Sequence, residues 1–431
     1  PTQGGDIAEP GGHVVASQWR PTLRPLCLQP QCCVLPSIGR PPEARGQDQQ
    51  LRRQSEQREG VEPMRVTINL DLPPAERWLF YKSDPAFAEF KTDAIYYLGK
   101  FVPKVLLPLL TKLVSTLHST FYPDYAEEMV GIAKGLDMNL GEVVLINLIY
   151  QLEGIANGCE LKNTTGLCPP KNGPSLCSGF VANGQGSDDL VWQGRNLDWN
   201  LDARLLKYVL QVEYQKNNAT LFTGLQIAGM VGTLHGVKKG AFSVQVNARD
   251  DGGNVLVNLF EQILVGGKEP THHMRKALEE ATDFKSGEAM LSVGHLANQA
   301  YFIMAGANHG EGAVLTRGRT NLIDAWHLYE TPAKDTKGIN KQPDWFRLQT
   351  NYDHWTPAPS YDDRRTPGVT HGSQFCKSGV DMDCVLKVMT TWPTKNFHTD
   401  ITSVMCPKTG YISTTVWSPS LSSSVAGTIV V

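Results

Sequence analysis

The sequence lacks the features of several common functional classes. No uninterrupted apolar run of about 18 or more residues occurs, which argues against a membrane-spanning helix. The 431 residues carry 40 Lys and Arg against 43 Asp and Glu, and no basic stripe of the kind that binds nucleic acid stands out. Cys159, Cys168 and Cys177 do not have the short Cys-x-x-Cys spacing of zinc sites, and the glycine-rich stretch 306–312 lacks the Gly-Lys-Ser/Thr end of a phosphate loop. We therefore expect no nucleic-acid partner, and nothing in the sequence implies a metal or an organic cofactor.

The cysteine content favours an oxidising compartment. Nine cysteines are present, and setting Cys177 aside leaves an even number that could pair. Two sequons, at Asn163 and Asn218, would be glycosylation sites in a secretory protein. Together these features predict a lysosomal or secreted protein, although no signal peptide is visible in the chain. The reduced thiols of a cytosolic protein are the alternative.

Composition divides the chain into three parts. Residues 1–63 are rich in Pro, Gly, Gln and Arg, which predicts a disordered leader or, because Met64 follows, a non-native one. Residues 64–176 read mainly as helix and include an insert at 157–176. Residues 177–431 switch to the two-residue period of strands.

One segment of the helical part has two interpretations. Apolar residues recur at helical spacing from Ile95 to Leu117, and Pro103 and Pro108 are expected to break or kink the helix. The ordinary interpretation is that this apolar face packs against a sheet. The alternative is that it offers an apolar surface to a membrane, from which a lipid-processing enzyme must extract its substrate. Two further helices are expected over 125–134 and 140–150.

The last part of the chain reads as antiparallel sheets covered by helices. Alternating residues predict strands over 209–214, 219–223 and 241–246, followed by a hairpin over 300–316. Helices are expected between these strands, around 253–264 and 273–281. Strand runs interleaved with helical blocks favour an α+β protein.

Five stretches carry the most specific signal in the chain. They are Thr67–Pro74 with Arg77-Trp78 behind it, Cys177–Ala182, Gln193–Asp198, Asn351–Trp355 and Asp362–Thr366. In this order they resemble the signatures of the acid ceramidase and N-acylethanolamine acid amidase family of N-terminal-nucleophile hydrolases. The first stretch is more similar to the ceramidase branch, whereas His354-Trp355 with the following Pro357–Pro359 is more similar to the amidase branch. The resemblance covers about residues 64–431.

The resemblance implies an αββα N-terminal-nucleophile hydrolase sandwich with a helical small subunit packed on it, made as a precursor that cuts itself before Cys177. Cys177 would then be the nucleophile, with its thiolate as the attacking species and its own α-amine as the base. Arg195 would hold the substrate carbonyl and help activate the cysteine. Asp198 would orient the α-ammonium group, Asn351 would supply an oxyanion-hole donor, and Arg364 would support the site electrostatically.

Each of these residues has an ordinary alternative. Composition and spacing alone do not single out Cys177, since a buried cysteine is more often a small apolar core residue. Arg195 and Asp198 could form a surface ion pair worth about 0–1 kcal/mol, Asn351 could be a turn residue, and residues 362–365 could be a solvated charge run. A papain-like enzyme would need a histidine partner, and none of the 11 histidines lies in a recognisable motif.

The chain departs from the family pattern at two places. The family places the nucleophile directly after the last helix of the small subunit, whereas here residues 157–176 intervene, with Cys159 and Cys168, which we predict to be paired. This insert could form a flap at the cleavage site or impede self-cleavage, and Cys159 is the alternative nucleophile. Both branches of the family also carry a glutamate, associated with proton handling, where this chain has Ala248; a neighbouring aspartate could replace it.

The sequence therefore predicts a lipid amidase. Its favoured substrate is ceramide, cut through a cysteine thioester into sphingosine and fatty acid, and an N-acylethanolamine is the alternative within the class. Its partners would be the lipid amide, a membrane surface in transient contact and a lipid-presenting helper protein, and its two fragments would form an α/β heterodimer. An uncleaved, non-catalytic lipid-binding relative is the alternative from another class.

Overall fold

Two β-sheets pack face to face at the centre of the described fold, and helices cover the outer face of each sheet. The computed structural model describes residues 58–149, 176–184, 189–199, 201–249, 261–418 and 428–429, apart from a few positions within 101–121 and 332–361. Of the five candidate site residues, Cys177 and Arg195 lie on the inner face of one sheet.

The first sheet contains six strands. They are β1 (Glu59–Val61), β3 (Leu176–Asn183), β4 (Val191–Asp198), β12 (Phe346–Gln349), β13 (Thr399–Cys406) and β14 (Tyr411–Ser418). Their order across the sheet is β1-β14-β13-β4-β3-β12, and every neighbouring pair is antiparallel. The pairing of β3 with β4 sets Cys177 opposite Leu197 and Gly179 opposite Arg195, so these four residues share one face of the sheet.

The second sheet contains nine strands. They are β2 (Met64–Asn69), β5 (Val209–Lys216), β6 (Ala219–Ile227), β7 (His235–Lys238), β8 (Phe242–Ala248), β9 (Ala300–Gly306), β10 (Gly312–Arg317), β11 (Leu322–His327) and β15 (Thr428–Ile429). Their order is β11-β10-β9-β8-β7-β6-β5-β2-β15. Strand β2 is parallel to both β5 and β15. A strand from well before Cys177 therefore belongs to the same sheet as strands that follow it.

Helices form the two outer layers. The α-helices of the described residues are α1 (Phe90–Leu98), α2 (Leu107–Ser115), α3 (Pro123–Gly135), α4 (Leu140–Asn147), α5 (Ala203–Leu206), α6 (Pro270–Glu280), α7 (Phe284–Ser292), α8 (Arg365–Phe375) and α9 (Met382–Thr390). Helices α6 and α7 cover the nine-stranded sheet, and α8 and α9 cover the six-stranded sheet. This layer order confirms the predicted αββα sandwich and its α+β class.

Capping residues fix where several helices begin. Helix α4 starts after a capping box, in which Asn139 accepts a hydrogen bond from a first-turn N–H and Glu142 accepts one from the Asn139 N–H over 2.9 Å. The carboxylate of Glu269 caps α6 by accepting from the backbone N–H groups of Thr271 and His272. Helix α3 starts on Pro123, a position where the missing N–H leaves no helical bond unmade.

Polar side chains tie the two sheets together. Gln193 donates to Gln245 Oε1 over 3.1 Å and accepts from the Ser243 hydroxyl over 2.6 Å. Gln245 also donates to the Ser178 carbonyl over 3.2 Å, and a Cβ on Gly179 would lie only 2.6 Å from Gln245 Nε2. Because buried polar groups stabilise a fold only when they are paired, these bonds fix β3 and β4 over β8.

The first part of the chain contains more strand than the sequence analysis indicated. Strand β1 lies within residues 1–63 and is paired with β14, and β2 lies within the part that reads mainly as helix. The helix predicted over Ile95 to Leu117 is broken, as one of the two predicted outcomes had it, since α1 ends at Leu98 and α2 begins at Leu107. Among the described residues, no helix is both long enough and apolar enough to cross a membrane.

Most secondary-structure predictions after Cys177 are confirmed. The strands predicted over 209–214, 219–223 and 241–246 correspond to β5, β6 and β8, and the predicted hairpin corresponds to β9 and β10. The helix predicted over 273–281 corresponds to α6. The helix expected around 253–264 lies mostly outside the described residues.

The cysteines do not all pair. Cys376, directly after α8, forms a disulfide with Cys384 in α9. Cys406 is a free cysteine buried within β13, so the even number that remains after setting Cys177 aside is not used entirely in pairs. The predicted pair of Cys159 and Cys168 lies outside the described residues.

Candidate active site

Cys177 is enclosed at the start of β3. Only 1% of it is exposed, and with Gly179 it faces the nine-stranded sheet. Its backbone N–H donates to Asn351 Oδ1 over 2.6 Å, and its carbonyl oxygen accepts from Arg364 Nη1 over 2.7 Å. Arg195 Nη2 lies 3.9 Å from the sulfur. The nitrogen, the oxygen and the sulfur of Cys177 therefore each contact a polar side chain.

The thiol of Cys177 is protonated in this environment. Burial raises the pKa of the thiol above its ordinary value, and the Asp198 carboxylate raises it further. The guanidinium groups of Arg195 and Arg364 act in the opposite direction but do not outweigh burial. Since the thiolate is the reactive form, chemistry at Cys177 requires a base close to the sulfur.

Arg364 connects the nucleophile to two carboxylates. Its Nε and Nη2 form a two-point ion pair with Asp362 at 2.7 and 2.8 Å. Its Nη1 reaches Asp198 Oδ2 at 3.1 Å, and its Nη2 also reaches Asn351 Oδ1 at 2.9 Å. A planar guanidinium offers donors in several fixed directions, which the single ammonium group of a lysine does not.

Asp198 lies at the end of β4, where it is fully buried and fully paired. The Thr399 hydroxyl donates to Oδ1 over 2.6 Å, and Asn396 Nδ2 donates to Oδ2 over 3.0 Å. Burial raises the pKa of Asp198 to about 6, against the opposing effects of Arg364 and of these two donors. The carboxylate therefore changes its charge in the mildly acidic range.

The side-chain amide of Asn351 has a defined orientation. Its Oδ1 accepts from the Cys177 N–H and from Arg364, and its Nδ2 donates to the Ala248 carbonyl over 2.8 Å. Donors on one side and an acceptor on the other distinguish the oxygen from the nitrogen. In the uncut chain Asn351 thus presents an acceptor to Cys177, and the oxyanion-donor role stays a prediction.

Arg195 lies between the sheets beside a histidine that the sequence analysis did not identify. Its Nη1 donates to the carbonyl of Leu234, and the next residue, His235, is paired with Gln245 across β7 and β8. His235 is buried, and within the described residues neither ring nitrogen has a hydrogen-bond partner. Burial, together with the charge of Arg195, lowers the pKa of His235 well below its ordinary value, so the ring is neutral.

All five predicted site residues lie in one place. Cys177, Arg195 and Asp198 come from the neighbouring strands β3 and β4, whereas Asn351 and Arg364 come from the chain between β12 and α8. The residues that hold Asp198 are not among those that the sequence predicts, and their separation from Asp198 explains why. Asn396 and Thr399 are 198 and 201 positions away from Asp198, beyond the reach of any spacing rule.

An apolar cleft lies between the helices and one end of the nine-stranded sheet. Its lining residues are Phe90, Ala94, Tyr97, Ile146, Ile149, Leu201, Leu205, Ile227, Ala228 and Met230. Ile227 follows Leu225 by two positions on β6, and Leu225 is paired with His235. The cleft therefore begins close to the layer that contains Arg195.

An apolar stripe faces solvent on α2 and just before it. Val105, Leu109 and Leu113 recur every four residues and are 83%, 69% and 59% exposed. The opposite side of the helix packs inward through Thr111 and Val114. The two interpretations of this segment thus apply to different faces, because one face packs on the fold and the other is exposed to solvent.

Comparisons with known proteins identify relatives of this chain by sequence. No family profile matches the chain. It is 31% identical over 353 residues to the N-acylethanolamine-hydrolyzing acid amidase of Cavia porcellus, covering 80% of this chain and 88% of the relative. It is 31% identical over 346 residues to the acid ceramidase of Heterocephalus glaber, covering 79% and 82%. Among solved structures, a Caenorhabditis elegans N-acylethanolamine-hydrolyzing acid amidase ortholog matches with 27% identity and a TM-score of 0.45, covering 54% of this chain and 93% of that one.

Proposed function

Because the chain belongs to the family of acid ceramidase and N-acylethanolamine-hydrolyzing acid amidase, we propose that it cuts itself before Cys177 and then hydrolyses ceramide to sphingosine and fatty acid. The chain is an amidohydrolase. The observation that carries the proposal is the set of polar partners at Cys177, with Arg195 at its sulfur, Asn351 at its nitrogen and Arg364 at its carbonyl oxygen. A cysteine that only fills space in a core needs no such partners.

The first reaction is self-cleavage. The Cys177 sulfur attacks the carbonyl carbon of Leu176, the peptide bond breaks as a thioester forms, and water hydrolyses that thioester. The products are a new carboxyl group on Leu176 and a free α-amine on Cys177. This amine forms where the Cys177 nitrogen now donates to Asn351 Oδ1 over 2.6 Å, so the same oxygen holds it.

The second reaction uses the new α-amine as its base. With an ordinary pKa of about 7.7–8.0, the amine accepts the thiol proton during the attack, because burial raises the thiol pKa and little thiolate forms beforehand. The thiolate attacks the amide carbonyl of the substrate, and the amine product leaves with the proton. Water then hydrolyses the thioester, releases the fatty acid and restores the thiol.

The neighbouring side chains control charge and orientation. We assign Asp198 to the α-ammonium group, Arg195 to the sulfur and the substrate carbonyl, and Arg364 to the orientation of Asp198 and Asn351. Asn351 is the proposed oxyanion donor. That role requires its Nδ2 to exchange the Ala248 carbonyl, now 2.8 Å away, for the substrate oxygen.

Two apolar surfaces suit the lipid part of the substrate. The cleft between Phe90 and Met230 has an apolar lining without charged residues, which suits an acyl chain, but its volume is only about 10 Å³ and it must widen to admit one. The exposed stripe of Val105, Leu109 and Leu113 fits transient contact with a membrane surface, with or without a lipid-presenting helper protein. We also propose a lysosomal or secreted location, which the nine cysteines and the sequons at Asn163 and Asn218 support.

A second substrate is supported by a separate observation. Residues 67–74 favour ceramide, whereas His354-Trp355 with Pro357–Pro359 favours an N-acylethanolamine. Relatives with both names match this chain at 31% identity. Incubating the cleaved protein with a ceramide and an N-acylethanolamine that carry the same acyl chain separates the two, and we expect faster release of fatty acid from ceramide.

Self-cleavage is tested by a denaturing gel after incubation at acid pH. We expect two fragments from the wild type and a single chain from Cys177→Ala. Cys406→Ala is the matched control, because Cys406 is also buried and free, and it should be cleaved like the wild type. A wild-type chain that stays whole and still binds lipid would instead support a non-catalytic lipid-binding relative.

A further inference from the structure

Arg58 inserts its guanidinium into the fold, although it comes from the segment that the sequence analysis assigned to a leader. Its acceptors are Phe397 O at 3.1 Å, Thr399 O at 2.7 Å, Asp400 Oδ1 at 3.2 Å and Trp417 O. The side chain is 12% exposed. The next residues, Glu59–Val61, are paired with β14, which fixes the backbone from which the side chain extends.

The residues that Arg58 holds are the ones that hold Asp198. Thr399, whose carbonyl accepts from Arg58, donates its hydroxyl to Asp198 Oδ1 over 2.6 Å. The Asn396 N–H donates to that hydroxyl over 2.9 Å, which directs its hydrogen toward Asp198, and the Asn396 side chain donates to Oδ2. We propose that Arg58 is a positioning residue for amide hydrolysis, which keeps Thr399 and Asn396 in the orientation that stabilises the Asp198 carboxylate.

The buried carboxylate of Asp400 needs a cation beside it. Asp400 is 1% exposed, and burial raises its pKa to about 7, with Arg58 among the groups that oppose this rise. Asp400 also accepts from the Leu201 N–H over 2.8 Å. Among the described residues Arg58 is the cation paired with this carboxylate, so without it the buried charge is uncompensated. Arg58 also donates to the carbonyls of Phe397 and Thr399, so its loss releases the backbone of the segment that provides the donors to Asp198.

This role differs from that of an anchor for an edge strand. The backbone pairing of β1 with β14 already anchors the segment, whereas the Arg58 side chain extends to the chain that leads into β13. An anchor would affect only how much protein folds. Loss of a positioning residue would change the protonation of Asp198 in the folded enzyme. With this role for Arg58, residues before Met64 contribute to catalysis.

The proposal predicts a shift in the pH profile. The charged and titratable groups around Asp198 and Asp400 are Arg58, Cys177, Asp362, Arg364 and His398. Asp198 must be ionised to hold the α-ammonium group, and its hydrogen bonds favour the ionised form. Loss of one hydrogen bond to the ionised Asp198 carboxylate raises its pKa by about one unit. The acid limb of the kcat profile should therefore move to higher pH by about one unit in Arg58→Ala.

The experiment uses the full chain after self-cleavage, with active sites counted by a thiol-reactive label. In Arg58→Ala we expect kcat on the acid limb to fall about tenfold, with KM little changed. Arg58→Lys keeps the charge but not the fork of donors, so it should shift the limb by less. Arg65→Ala is the control, because Arg65 forms only an exposed ion pair with Glu62, and its profile should match the wild type.

Thr399→Val covers the case in which Arg58→Ala does not fold. It removes the hydroxyl while Arg58 stays, and it should produce the same upward shift. If both variants fold, the double variant should shift no further than either single one, since both act through the same hydrogen bond. Unshifted profiles in Arg58→Ala or, failing that, in Thr399→Val would overturn the proposal.

The inference depends on the proposed function, and the two fail in different ways. A wild type that neither cuts itself nor hydrolyses lipid amides contradicts the proposed function. An active wild type whose Arg58→Ala variant has the same profile per active site contradicts only the role of Arg58.

Discussion

Replacing Glu128 by glutamine perturbs a buried charge cluster that joins the chain before Cys177 to the chain after it. Glu128 in α3 accepts from Arg77 Nη1 at 2.6 Å and from Trp78 Nε1 at 2.9 Å. From the other side of Cys177, Arg275 in α6 donates two bonds to its carboxylate, each 2.7 Å long. If self-cleavage occurs, this cluster becomes a contact between two separate polypeptides.

The size of the effect follows from burial. Glu128 and Arg275 are fully buried, and the two arginines lower the pKa of Glu128 even though burial opposes this. A glutamine of the same shape leaves Arg77 without its buried counter-charge, and it leaves Arg275 with Glu279, 2.8 Å from its Nε, as its remaining ion-pair partner among the described residues. Removing one partner of a buried ion pair costs about 3–5 kcal/mol, which is a large part of the stability of a typical domain.

Urea unfolding followed by tryptophan fluorescence measures this cost. We expect Glu128→Gln to lower the free energy of unfolding by about 3–5 kcal/mol. Glu127→Gln is the matched control, because Glu127 is the preceding residue of the same helix but is exposed, and it should change stability by less than about 0.5 kcal/mol. Equal stability of the two variants would refute the view that this cluster joins the two segments.

Three further predictions follow from buried or exposed groups. Burial raises the pKa of Glu269 from 4.5 to about 7, so its contribution to stability is present below pH 4.5, and about 3 kcal/mol of the free energy of unfolding is lost as the pH rises to 7. In Glu269→Gln, thermal unfolding should show a smaller loss of stability over this range. The same dependence of stability on pH in the variant and the wild type would contradict this. Leu109→Asp with Leu113→Asp should weaken binding to anionic vesicles more than tenfold without changing hydrolysis of detergent-dissolved substrate, and undiminished vesicle binding would exclude the stripe as a membrane contact. Asp362→Asn should slow self-cleavage by roughly tenfold to a hundredfold, because Arg364 loses its two-point ion pair. The control Asp363→Asn should not slow it. Equal rates of the two variants in gel time courses would argue that Asp362 does not position Arg364.

The sequence predicted the local parts of the structure well. Alternation marked β5, β6 and β8, and the five ordered motifs include Cys177, Arg195, Asp198, Asn351 and Arg364, which the structure places in one cluster at Cys177. Strand β2 lies in the part of the chain that the sequence predicts to be mainly helical, although its burial alternates along Met64–Asn69. The alternation is short and the helical pattern after it is longer, so the sequence favours helix for this part as a whole.

Proline placement explains the interruption within Ile95–Leu117. The leucine spacing with its two prolines predicts a broken or kinked helix, and the structure has a break between Leu98 and Leu107. Pro108 then lies in the first turn of α2, where a proline is tolerated because no helical bond needs its N–H. Periodicity describes which face is apolar, but it does not determine where one helix ends and the next begins.

The supporting residues of the site could not be predicted for a different reason. Arg58 is 341 positions from Thr399 in the sequence, and Thr399 is 201 positions from Asp198. Their contacts depend on β1 joining β14 and on β13 lying beside β4, which is a property of sheet order rather than of local pattern. Long-range sheet pairing of this kind leaves no spacing signal in one sequence.

The most direct measurement is the N-terminal residue of the fragment in catalytically active material, determined by intact mass and sequential degradation. We predict that Cys177 is the first residue of the larger fragment and that amide hydrolysis increases in step with its appearance. Full activity in protein whose Leu176–Cys177 peptide bond is intact would contradict the assignment of the Cys177 amine as the base.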